Sequence, residues 1–243
     1  ERASGKIEYS GEMTLEVDGS TLTCDFAPDG TCRIVKCETE RDQVDVPVQV
    51  NGHDVTVIGS HSFSTCYSLL RVQLPESIVD IGEYAFMNTA LTAFFCPAGL
   101  HRIGKNAFYK CAHLQSVTLN EGLVFLGESA FRESALTQLD IPASVRFIGQ
   151  NSFKSTQMTF SGKDVSLRIA PSNLQYGLLD GALYHLEEGG LALVQVLDED
   201  IELYEGPSNL VVVIERSCAG LKKLRCARLP EGVILIGASV FRG

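Results

Sequence analysis

Basic residues are few and scattered: 20 Lys and Arg stand against 30 Asp and Glu in 243 residues, giving a net charge of −10 and a pI near 5.0. Phosphate backbones are held by clustered Lys and Arg, so nucleic acid is excluded as a partner. No apolar run approaches the ~20 residues that a membrane-spanning helix needs, so no transmembrane segment is expected. The motifs that carry chemistry are missing as well: there is no His-Glu-x-x-His, no phosphate loop and no Gly-x-Ser-x-Gly. No two cysteines are spaced Cys-x-x-Cys, and the five histidines (His53, His61, His101, His113, His185) are far apart from one another. A thiol enzyme needs Cys and His brought together. The expectation is a protein that is not an enzyme and uses no cofactor and no metal. No charged-then-apolar leader follows Glu1, so any export signal has been removed or was never present.

What is abundant is repetition. Ile81 Gly82 Glu83 Tyr84 Ala85 Phe86 recurs as Ile103 Gly104 Lys105 Asn106 Ala107 Phe108, as Leu126 Gly127 Glu128 Ser129 Ala130 Phe131 and as Ile148 Gly149 Gln150 Asn151 Ser152 Phe153. Further copies stand at Ile58 Gly59 with Phe63 and at Ile236 Gly237 with Phe241. From Gly59 to Gly149 the glycines step by 23, 22, 23 and 22 residues, a period that marks a solenoid. A second constant segment runs from Leu69, Leu91, Leu114, Leu136 and Leu224 to Leu74, Cys96, Leu119, Ile141 and Leu229, followed by Pro in all but the third. Within it apolar residues alternate, which predicts a short strand that Pro, lacking an N–H, terminates. Gly is then expected to permit a sharp turn, and Ala-Phe to open a short helical or 3-10 turn. Stacking like on like predicts one buried column of Phe63, Phe86, Phe108, Phe131, Phe153 and Phe241, each ring contributing roughly 1.5–3 kcal/mol.

Residues 1–50 alternate as strands (Ile7, Tyr9, Met13, Leu15, Val17, Leu22, Cys24, Phe26), with turns at Asp18 Gly19 and Pro28 Asp29 Gly30. They read as a β-hairpin cap over the first face of the stack. Residues 51–160 are the regular repeats, 161–213 an irregular region with a hairpin around Glu187 Glu188 Gly189 Gly190, and 214–243 a resumption. Ile214 to Ala219 looks like a worn copy with Glu215 in the Gly place, three units of 22 after Gly149. The last unit stops at Gly243 without a cap, which suggests a portion of something longer. The acidic run Asp198 Glu199 Asp200 with Glu202 and Glu205 has no fixed calcium-loop pattern and reads as a solvated face. Cys66 and Cys111 share a slot two units apart, too distant for a bridge, and read with Cys96 as core thiols. Cys24, Cys32 and Cys37 could supply one disulfide in an oxidising compartment.

The unit Leu-Pro-x-x-[apolar]-x-x-Ile-Gly-x-x-Ala-Phe-x-x-Cys-x-x-Leu-x-x-Val-x-Leu, almost unbroken from Val72 to Phe131, closely resembles the BspA-like leucine-rich repeats of surface proteins from bacteria and some protists. Val50 to Gly59 resembles that family's entry segment, and Asp180 Gly181 Ala182 Leu183 Tyr184 resembles the hairpin that interrupts many of its arrays. The resemblance implies an α/β leucine-rich-repeat solenoid of short parallel strands and short helical turns with an N-terminal β-hairpin cap. It further implies a cell-surface or secreted protein that binds a host matrix or plasma protein or another cell surface, and it carries over no ligand-binding residue. From the repeat itself, the positions two and four beyond the Leu point away from the core, which makes Arg71, Gln73, Phe95, Thr118, Gln138, Asp140 and Arg228 the candidate ligand-binding residues, with Phe95 an apolar spot among polar neighbours. The rival reading is a structural spacer or scaffold with no ligand of its own.

Overall fold

A computed structural model describes residues 9–160 and 165–242. Ile7, read as part of a strand, lies outside the described residues. Each coil of the stack carries two short strands. The pre-proline strands are Arg71–Gln73, Ala93–Phe95, Ser116–Thr118 and Leu139–Ile141; they form parallel two-stranded pairs, the first with Gln43–Asp45, the second with the third (Phe94 opposite Val117) and the fourth with Leu167–Ile169. A second ladder, not anticipated from the sequence, lies just before each glycine: Asp80–Ile81, Arg102–Ile103, Phe125–Leu126 and Phe147–Ile148. Its inward residues Ile58, Ile81, Ile103, Leu126 and Ile148 stand in register, all buried.

The expected helical turn is absent: among the described residues there is no helix, only turns. The backbone explains why. Tyr84, Asn106, Ser129 and Asn151, two residues past each glycine, have φ between 54° and 58°, and Asn88, Lys110, Glu133 and Ser155 four residues later are left-handed too. Two such residues per turn cannot sit in a right-handed helix. The amides also point elsewhere: Tyr84 N–H donates to Lys105 O at 2.9 Å, Phe86 N–H to Ala107 O at 2.8 Å and Asn88 N–H to Tyr109 O at 3.0 Å. Hydrogen bonds that a helix would close within itself instead join one coil to the next, so the fold is a β-solenoid of leucine-rich-repeat type.

The repeated glycines serve close approach rather than a turn dihedral. A Cβ on Gly82 would lie 2.6 Å from Ser60 N, and one on Gly104 2.7 Å from the Gly82 carbonyl carbon, where only a hydrogen fits. Above this contact Phe63, Phe86, Phe108 and Phe131 stack with centroids 5.0, 5.3 and 5.4 Å apart, and Phe94 from the facing strand tilts between Phe86 and Phe108. Phe153 is buried as well. Phe241 is not part of this column: it is half-exposed at the far end of a second, separate core.

That second core begins with a repetition of the first fifty residues' architecture. Strands Ser10–Val17, Ser20–Phe26 and Thr31–Glu38 form an antiparallel meander whose last strand continues in parallel to His53–Ile58 and Asp80–Ile81. Strands Tyr176–Leu179, Ala182–Glu187 and Gly190–Val196 form another, whose last strand continues in parallel to Leu210–Val213 and Leu235–Ile236. Each meander opens on an Asp-Gly turn with both residues left-handed (Asp18 and Gly19, Asp180 and Gly181), the turn whose twist matches that of the strands. Each carries a register shift between its second and third strands, and another where the third meets its parallel partner. Each is followed by a two-stranded parallel pair: Gln43–Asp45 with Arg71–Gln73, then Leu203–Glu205 with Cys226–Arg228. The hairpin read as an interruption therefore starts a second module built like the first. The worn copy is out of frame by one from its sequence reading: Gly237 N–H donates to Val213 O as Gly82 N–H does to Ile58 O, so Ile214 holds the Gly place and buried Cys218 the Phe place.

The second meander is a wall between two cores. Leu183, Val194 and Leu197 face the first, while Tyr184, Leu193 and Val196 face the second. Where the backbone ladder is interrupted, side chains supply the missing acceptors: Gln195 Oε1 accepts from Asn151 N–H at 2.8 Å and Glu199 Oε1 from Ser155 N–H at 2.7 Å.

Candidate functional site

All seven candidate residues of the pre-proline face are exposed. Arg71, Gln73, Phe95, Thr118, Gln138 and Asp140 share one side of the first module; Arg228 belongs to the separate strand pair of the second. Several are tied to a neighbouring coil. Arg71 Nε donates to Gln43 Oε1 at 3.1 Å, with its guanidinium 3.8 Å from Asp42; Asp140 lies 3.4 Å from Arg168; Arg228 donates to Glu205 Oε1 at 2.6 Å. Pairs this exposed are screened by solvent and leave the charges open to an incoming partner. Phe95 is the one apolar side chain among the seven, 73% exposed and opposite Thr118. Stacking fixes its backbone, so the ring is presented without a mobile loop.

A second site, which sequence reasoning missed, lies at the seam where the pre-glycine ladder ends. Phe147–Ile148 pairs with Phe125–Leu126 on one side, and on the other Tyr176 of the second meander comes against it. The cleft between the modules measures about 430 Å³. Phe147 lines it, half-exposed and stacked on Phe125 at 4.5 Å and 8°, with Arg102 in turn 5.1 Å from the Phe125 centroid. Tyr176 is buried, its hydroxyl accepting from Ile148 N–H at 2.9 Å, and burial raises its pKa against the opposing effect of that bond. His185 packs edge-on against Tyr176 at 5.2 Å and its Nδ1 lies 3.0 Å from Glu187. Arg146, Arg216, Glu128 and Glu215 complete the rim. The one sequence signal was Phe125 and Phe147 in the same repeat slot.

The matches to known proteins agree with this geometry. The model of the BspA type leucine rich repeat region matches residues 48–159 in six copies. Residues 48–159 are BspA-type leucine-rich repeats. Among solved structures, the chain is similar to a leucine rich cell surface protein from Faecalibacterium prausnitzii, at 21% identity and TM-score 0.60 over 96% of this chain and 74% of that one. It is similar to the T. pallidum leucine rich repeat protein at 22% identity and TM-score 0.57, over 89% and 83% of the two chains. The pneumococcal vaccine antigen PcpA gives 18% identity and TM-score 0.65 over 94% and 68%. At these identities the likeness is one of fold, and it extends beyond the matched repeats. No curated protein matches significantly.

The buried cysteines, inside the BspA-type repeats and outside them, are packing groups. All eight are free thiols, including Cys24, Cys32 and Cys37, where a disulfide had been allowed. Burial pushes Cys24 up to about 12 and Cys32 and Cys111 to about 11, and Cys111 donates to Phe86 O at 3.1 Å. Cys66 Sγ donates to Cys37 O of the neighbouring coil at 3.4 Å, and the contact with Cys66, followed by burial, raises the Cys37 thiol. The acidic run is spent on structure: Asp198 Oδ1 accepts from Asp200 N–H, Glu199 bonds Ser155, and Asp200, Glu202 and Glu205 pair with Lys223, Arg225 and Arg228 of the next coil. No helix among the described residues is long and apolar enough to cross a membrane.

Proposed function

We propose that this chain is a non-catalytic cell-surface or secreted protein that binds another protein through the pre-proline face of its first module, the partner being a host matrix or plasma protein or another cell's surface. The observation that carries the reading is Phe95, a large ring 73% exposed on a strand paired with Ser116–Thr118, opposite Thr118. Isolated aromatic anchors of this kind dominate interface energetics when a partner supplies the complementary pocket, and a pre-ordered face loses little entropy on binding. Leucine-rich repeats generally bind proteins and are typically non-catalytic, and similar folds include a cell surface protein and a vaccine antigen, which supports display outside the cell.

A spacer role is the second reading, favoured by the ion pairs that engage Arg71, Asp140 and Arg228 with adjacent coils. Binding of the purified chain to immobilised matrix and plasma proteins and to whole cells separates the two. Retention of the wild type and an affinity about tenfold or more weaker for Phe95→Asp is the expected result, with unchanged circular dichroism. Retention of nothing supports the spacer, and equal retention of both forms removes the face from consideration.

A further inference from the structure

The chain as a whole is strongly acidic, yet the rim of the seam cleft carries two arginines against one free carboxylate. Among the described residues no ion pair or hydrogen bond engages the guanidinium of Arg146 or of Arg216, although eleven ion pairs occupy other charged groups. Of the two acids on the same rim, Glu128 is neutralised by Lys105 Nζ at 2.9 Å, which leaves Glu215 as the single free carboxylate. The floor is the outer face of the Phe147 ring. Its wall is Tyr176, whose hydroxyl accepts from Ile148 N–H and so retains its own hydrogen to donate.

These groups select a ligand. An added peptide strand is disfavoured, because the Tyr176 hydroxyl already occupies the Ile148 amide that such a strand would pair with. A flat aromatic acid would satisfy the ring and the guanidiniums but has no donor for Glu215. A saccharide ring bearing a carboxylate would satisfy all of them: a C–H face for Phe147, a carboxylate for the guanidiniums that line the same cleft, and hydroxyls that can donate to Glu215 and accept from Tyr176. We propose that the cleft between the two modules binds a uronic acid, through Phe147, Arg146, Arg216, Glu215 and Tyr176. This site is distinct from the Phe95 face and does not depend on it.

Titration calorimetry of the whole chain with methyl β-glucuronide, methyl β-glucoside and benzoate tests the assignment. A Kd of about a millimolar for the glucuronide is expected, the scale for a ligand of this size. The glucoside, lacking the carboxylate, and benzoate, lacking the hydroxyls, should each bind about tenfold more weakly or not at all. The double substitution Arg146→Ala with Arg216→Ala, and separately Phe147→Ala, should abolish the glucuronide signal; all three side chains are exposed or half-exposed, so folding is retained. Phe95→Asp should leave it unchanged, which keeps a failure of this site distinguishable from a failure of the protein-binding face. A disaccharide with glucuronate at its non-reducing end that binds more tightly than the methyl glycoside identifies the source as a glycan, and equal binding identifies the free sugar. No heat from the glucuronide at tens of millimolar, equal binding of benzoate, or an unaltered signal in the double arginine variant would each overturn the proposal.

Discussion

At the scale of single residues, the glycine of each coil does the most with the least. Its period of 22 or 23 was readable at once, but its purpose was not, because a sequence does not distinguish a glycine needed for a left-handed dihedral from one needed for contact. Here the left-handed residues are Tyr84, Asn106, Ser129 and Asn151, two places later, and glycine marks where one backbone lies on the next. Gly127→Ala should therefore destabilise the chain by about 1–3 kcal/mol, since the added methyl would sit 2.5 Å from the Gly104 carbonyl carbon and backbone cannot step aside as a side chain can. Gly30→Ala is the useful contrast: it has open space around it, and any loss would come from its φ of 86° alone. Chemical denaturation midpoints of the two variants check this; a Gly127→Ala chain as stable as the wild type would mean that the coils are not stacked this closely.

At the scale of elements, the pre-proline strands and the phenylalanine column were legible because alternation and a fixed period survive in the residues themselves. The pre-glycine ladder was not, since two residues per coil show no alternation. Nor was the equivalence of the two meanders, which share little in sequence beyond the Asp-Gly turn and the small buried residue after it, Ser20 or Ala182. The seam cleft was hidden for the same reason: Phe147 lies in the regular repeats, but Tyr176, His185 and Arg216 reach it only through the fold. The two-faced wall makes a sharp prediction from adjacent residues. Leu193→Ala removes packing from the second core and Val194→Ala from the first, with losses of roughly 2–5 and 1–3 kcal/mol. Hydrogen exchange should rise in 210–240 for the former and in 139–158 for the latter. Identical patterns for both would show that there is one core, not two.

At the scale of the whole molecule, the cysteines report on packing. Of the eight, Cys226 alone is exposed, and all the others are buried or half-buried. Burial holds the Cys24, Cys32, Cys111 and Cys218 thiols at about 11 to 12, so at pH 8 they remain protonated as well as enclosed. A raised thiol pKa favours the protonated form in the folded state, so that contribution to stability is present at neutral pH and is lost as pH climbs through the folded values near 11 to 12. Titration of the native protein at pH 8 with a thiol reagent should consume one equivalent quickly and the rest only at the rate of unfolding. Rapid reaction of three or more would contradict the enclosed stack.

The second meander also changes how such a chain can be lengthened. A helical stack that only adds coils accumulates curvature from one end to the other, so the orientation of its last surface is dictated by the first. A wall that is covered on both sides and carries its own parallel edge lets the array restart with a new origin. The faces before and after it need not share a direction, while the acceptors that the wall lends to Ile148, Asn151 and Ser155 tie it to the coil it follows.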